Sequence, residues 1–107
     1  MLNVESIQEL VNAVIEYKGK NIVVTSIDRL QVFDKVDVNI NDIGFILESE
    51  CEDNMIKFTF SKIEDVYIDE IDIFEDKDLK EIHIVFEYEG KRYSILNLIW
   101  HRQVEII

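Results

Sequence analysis

From Ile82 to Tyr88 every second residue is large and apolar or aromatic, and Tyr93 and Ile95 resume that spacing on the far side of Glu89-Gly90. A period of two places Ile82, Ile84, Phe86 and Tyr88 on one side of a strand, and no helix can bury such a pattern. Glu89-Gly90 supplies a tight turn that sets Phe86 opposite Tyr93 and Ile84 opposite Ile95 inside, while a loop at Gly90-Lys91 would change the partners but not the faces. Outside, Glu87 then faces Arg92. Most of the chain follows the same rule. Asn21–Ile27 is β-branched and apolar on both faces, as a central strand requires. After a break at Asp28-Arg29, Leu30–Ile40 alternates from Val36 onward, with Val36, Val38 and Ile40 facing inward.

Only the start of the chain has helical spacing. Ile7, Leu10, Val11, Val14 and Ile15 fall on one stripe. Asn3 and Ser6 compete as N-cap, the former with a Leu2–Ile7 staple and the latter with Glu9 completing a capping box. Gly19 stands where a left-handed residue ends a helix, so the helix is expected from about Val4 to Lys18.

A second hairpin is expected at Asp53-Asn54, because both residues tolerate positive φ. That register sets Cys51 against Ile56, Ser49 against Phe58 and Leu47 against Phe60, and it pairs Glu50 with Lys57 and Glu48 with Thr59 on the wet side. Cys51 is then a buried, inert thiol. Ser61–Asp69 supplies another strand, with Val66 and Ile68 inward. A bulge at Asp69-Glu70 is expected to return Ile71 and Ile73 to the same face, and Glu75–Lys80 reads as a charged loop.

The passage from the helix into Gly19-Lys20-Asn21-Ile22-Val23-Val24 resembles the opening of Sm-like barrels. The likeness covers a small part of the chain and implies a small closed barrel. The RNA-binding surface of such barrels is polar or basic, whereas this chain is acidic, so no site is carried over. The expected fold is α+β in one domain over residues 1–107: an N-terminal helix on a strongly bent antiparallel sheet of six or seven strands over about 21–100, open or closed into a small barrel, and a short C-terminal tail.

Asp37–Glu48 has oxygen ligands at the first, third, fifth and twelfth positions of a calcium-binding loop. The sixth position is Asp42 where such a loop needs glycine, and the flanks alternate with period two. Asp37, Asn39 and Asn41 therefore read as the wet side of a strand, with Asn41-Asp42 a turn, and no metal is expected. No cofactor or catalytic residue is expected either. The two histidines, His83 and His101, stand apart in the sequence, three glycines cannot build a phosphate cradle, and no nucleophile or metal-protease motif is present. The chain is expected not to be an enzyme; a convergent site hidden from the sequence is the alternative.

Charge is the extreme property. Among 107 residues, 23 Asp and Glu against 11 Lys and Arg leave a net charge of −12. Such a surface repels phosphate backbones and anionic lipid, so neither nucleic acid nor membrane is an expected partner. The N-terminus has no basic and apolar regions of a secretory signal, and a lone cysteine fits a reducing cytoplasm. Glu48, Glu50 and Glu52 alternate on one strand face, about 6.7 Å apart; Glu70 with Asp72 and Glu87 with Glu89 repeat the pattern. These seven carboxylates are the candidate contact face. The expectation is a non-enzymatic inhibitor docking on a basic protein partner, such as a nuclease or nucleic-acid-binding effector. Phage-encoded anti-CRISPR proteins and toxin-neutralising immunity proteins belong to the same physical class. Val85, Leu96, Leu98 and Trp100 form a competing candidate, an apolar patch on the outer side of the last hairpin. Either the helix or the C-terminal tail covers this patch, or it carries a homodimer or scaffold contact.

Overall fold

The computed structural model describes residues 3–49, 54–72 and 80–98, with backbone alone at 70–72 and 80–81. Helix α1 spans Val4–Ile15, and Asn3 is its cap: the Asn3 Oδ1 accepts the Ser6 N–H at 2.8 Å. The helix stops earlier than its sequence suggests. Beyond Ile15 the chain tightens, with Glu16, Tyr17 and Lys18 N–H groups donating three residues back, and Gly19 turns at φ +81°. The buried stripe keeps regular helical spacing but is narrower than the apolar sequence. Leu10, Ala13, Val14 and Tyr17 are buried, while Ile15 is half exposed.

Eight strands follow among the described residues: β1 (Ile22–Ser26), β2 (Arg29–Phe33), β3 (Val36–Ile40), β4 (Gly44–Ser49), β5 (Met55–Thr59), β6 (Ile63–Asp72), β7 (Lys80–Tyr88) and β8 (Lys91–Asn97). A 3-10 turn at Phe60–Lys62 joins β5 to β6. The strands form two antiparallel sheets, ordered β2-β1-β8-β7-β6 and β3-β4-β5. This corrects the expectation of one bent sheet or closed barrel with six or seven strands. The single run read from Leu30 to Ile40 is two strands, divided by a turn at Asp34-Lys35, where Lys35 has φ 47°. At that corner β3 leaves the first sheet. Val36 N–H donates to Lys20 O and Gly19 N–H to Val36 O, while Asn54 Nδ2 holds Val32 O at 2.8 Å.

Both sheets and α1 share one core. Its centre is Phe58, whose ring lies 4.9 Å from Phe86, 5.1 Å from Tyr88, 5.2 Å from Tyr93 and 5.3 Å from Phe45 between centroids. The first three contacts are edge-on, the favoured geometry for aromatic quadrupoles. Gly44 permits this closeness: a Cβ there would lie 2.0 Å from the Phe58 carbonyl oxygen.

The last hairpin has the register of a Glu89-Gly90 turn, Phe86 opposite Tyr93, Ile84 opposite Ile95 and Glu87 opposite Arg92. Glu89 and Gly90 both have positive φ, the two-residue turn that matches strand twist. The β4–β5 hairpin differs from expectation. Leu47 pairs with Ile56, Phe45 with Phe58, Ile46 with Lys57 and Glu48 with Met55. The Ser49 N–H bonds Asn54 O, so the connection is longer than the Asp53-Asn54 pair, and Phe60 leaves the ladder for the 3-10 turn. The faces survive because the displacement is even. Cys51 lies outside the described residues.

The bulge of β6 also stands elsewhere. The register with β7 jumps between Glu64 and Tyr67, at Asp65 with φ 51°, and runs unbroken from Tyr67 to Asp72. Ile63 is fully buried and Ile68 packs against the core, and only an extra residue between them lets both face inward. No shift occurs at Asp69-Glu70. Ile73 and most of the charged run that follows lie outside the described residues.

Candidate functional site

The five-stranded sheet turns Ile22, Val24, Phe33, Ile84, Phe86 and Ile95 into the core, so the alternate residues make its outer face. Register arranges that face in rows. Val32, Val23 and Leu96 stand side by side across β2, β1 and β8. Leu30, Thr25, Ser94, Val85 and Tyr67 cross all five strands. Arg92, Glu87 and Glu64 form a third row, and Asp69 faces His83.

The third row carries unbalanced charge. Glu64 stands directly opposite Glu87, an arrangement that destabilises a strand pair. Beside them Glu89 accepts a hydrogen bond from Lys62 Nζ at 3.0 Å, and both of these groups are exposed. Lys62, Glu64, Glu87, Glu89 and Gly90 line one open depression. The Glu89 carboxylate raises the Lys62 pKa. Across the turn end of the sheet, Lys91 Nζ sits 2.7 Å from Asp28 Oδ2, which also holds the Asp28 carboxyl below the usual carboxylate range.

The middle of the face holds one polar contact. His83 Nε2 lies 2.7 Å from Ser94 Oγ. Partial burial lowers the His83 pKa, opposed by the charge of Asp69 on the neighbouring strand. The imidazole is thus biased toward its neutral form, which can accept the Ser94 hydroxyl proton.

Among the described residues the predicted contacts do not share one surface. Glu48 lies on β4 opposite Asp37, on the outer face of the other sheet. Glu50, Glu52 and Trp100 lie outside the described residues. Glu70 and Asp72 occupy register positions opposite Ile82 and Lys80, in phase with the inward-facing Ile68. Glu87 and Glu89 are brought together with Lys62 and Glu64. Val85 and Leu96 share the outer face with Glu87, and Leu98 follows at the end of β8, its N–H donating to Asn21 O. The acidic and apolar candidates therefore adjoin on one sheet.

Glu64, Tyr67, Asp69, Ser94, Val23, Val32 and Leu30 belong to this face without having been singled out in the sequence. Tyr67 is 61% exposed and Leu30 57%, whereas Val23 is only 1% exposed although it lies outside the core cluster. The signal for Glu64 and Tyr67 was the three-residue interval from Ile63 to Val66, which a regular strand cannot place on one face.

Among the described residues no group of three or more His, Cys, Asp or Glu is placed to hold a metal ion, and no helix is long and apolar enough to cross a membrane. No protein-family model matches the chain, and no curated protein or solved structure matches it significantly.

Proposed function

We propose that this chain is a non-enzymatic binding protein whose acidic surface docks on a basic protein partner, such as a nuclease or nucleic-acid-binding effector, and inhibits it. The observation that carries this reading is Glu64 opposite Glu87, with Glu89 in the same depression. The sheet holds like charges where they repel, and a partner's Arg or Lys entering the depression would turn that repulsion into attraction. The strands fix the backbone at Glu64 and Glu87 before binding, so no chain segment has to be ordered there for association. A net charge of −12 adds long-range steering, which makes association fast and sensitive to salt.

The test compares the wild type with a Glu64→Gln, Glu87→Gln, Glu89→Gln variant as bait in pull-downs from lysate at low and high salt, after circular dichroism has shown equal folding. Basic proteins retained by the wild type at low salt, released at high salt and lost from the variant support the reading. Equal recovery by both baits at both salt concentrations overturns it.

A second reading, an assembly module, is favoured by the exposure of Leu30 and Tyr67 beside Val32, Leu96 and Val85 on the same face. It requires a salt-insensitive change of mass between two protein concentrations in sedimentation, and a mass constant across them excludes it.

A further inference from the structure

β6 ends the five-stranded sheet and, at ten residues, is its longest strand. From Tyr67 to Asp72 its register with β7 is unbroken, so on its other side alternate N–H and C=O groups of this stretch have no strand partner among the described residues. The stretch reads Tyr-Ile-Asp-Glu-Ile-Asp: three residues suited to strands, three carboxylates and no cation.

We propose that this edge accepts an extended, lysine- or arginine-bearing segment of a protein partner as a sixth strand. The inference rests on the acidic-docking reading and specifies how the partner is held. A strand added beside β6 brings its side chains about 4.5–5.5 Å from those directly opposite. Asp69 belongs to the outer-face phase, and the register positions of Glu70 and Asp72 alternate with it, so acidic positions occur in both phases of the stretch. Another copy of β6 would bring one acidic run against another, which disfavours self-pairing. The same charges favour a cationic strand, with main-chain hydrogen bonds giving affinity and the carboxylates giving selectivity. At the far edge, β2 carries Arg29 and no acid, so the two edges of the sheet are not equivalent.

The experiment measures fluorescence anisotropy of a short labelled peptide of alternating lysine and valine with the full chain. Its controls are the same peptide methylated on the backbone nitrogens that would face β6, and a peptide with glutamate for lysine. Methylation keeps the charge and removes the ladder donors. The inference expects methylation to weaken binding at least about tenfold, the glutamate peptide not to bind, and amide exchange to slow across 67–72 with the unmethylated peptide alone. Equal binding of the methylated and unmethylated lysine peptides overturns strand addition and leaves acidic docking standing. Absence of binding by either, or assembly of the protein alone that protects the same amides, overturns it as well.

Discussion

Replacing Phe58 tests whether the aromatic cluster is the keystone between the two sheets. The ring is 1% exposed and touches Phe45, Phe86, Tyr88 and Tyr93 at centroid separations of 4.9–5.3 Å. Phe58→Ala leaves a cavity bounded by backbone in β4 and β5, and such truncations cost about 3–5 kcal/mol. Phe58→Leu keeps much of the volume but discards four ring–ring contacts. Aromatic pairs contribute about 0.5–1.5 kcal/mol each beyond burial; since the Leu side chain recovers part of the dispersion, a net loss of about 2–3 kcal/mol is expected. With a total stability of about 5–15 kcal/mol, the alanine variant falls near the threshold of folding while the leucine variant remains folded. Urea unfolding followed by far-ultraviolet circular dichroism gives both values, and tyrosine near-ultraviolet dichroism reports whether the cluster has loosened. A leucine variant within about 0.5 kcal/mol of wild type would refute the reasoning, because that is the spread of ordinary surface substitutions.

Two other perturbations follow from single positions. Gly44→Ala drives a Cβ to 2.0 Å from a backbone oxygen that cannot move without parting β4 from β5, so thermal unfolding should show a loss larger than the roughly 1 kcal/mol seen for ordinary strand substitutions; an unchanged melting temperature contradicts the close approach. His83 has a folded pKa below its ordinary value of 6.5, so folding favours the neutral ring. Its contribution is complete above that value and is lost as pH falls through 6.5 toward the lower folded pKa, once protonation favours the unfolded chain. Stability curves of wild type and His83→Gln should therefore diverge below pH 6.5 with the variant less acid-sensitive; parallel curves count against the burial effect.

How much of this was legible in the sequence depended on whether local chemistry or tertiary packing decided the matter. The faces of β7 and β8 could be read from their spacing, while the register lay between loops at Glu89-Gly90 and Gly90-Lys91, of which the structure has the first. β1 could be read as central because it is apolar on both sides, and it lies between β2 and β8. The β4–β5 hairpin could not: Asp53-Asn54 suits a tight turn locally, but packing Phe45 against Phe58 selects a longer connection. By contrast, Tyr17 stands seven residues after Leu10 and three after Val14, on the regular helical stripe, and was legible from spacing alone. The candidate site was half visible. Glu87, Glu89, Val85 and Leu96 were marked as two rival surfaces although the spacing of β7 already set Glu87 and Val85 on one side; Glu64 and Tyr67 reach that side through the extra residue at Asp65, whose trace is the spacing of Ile63 and Val66.

That extra residue governs more than one strand's shape. Upstream of Asp65 the odd-numbered Ile63 faces the interior, and downstream the even-numbered Ile68 does. Were the strand to run through Asp65 as a plain ladder with every residue kept, interior and exterior would exchange for everything beyond it, sending Tyr67 and Asp69 toward the aromatic centre and Ile68 into water. A homologue that lacks one residue here would keep both sides of the sheet as they are and lose only the kink, so this is a place where the chain can shed a letter without rewriting the rest.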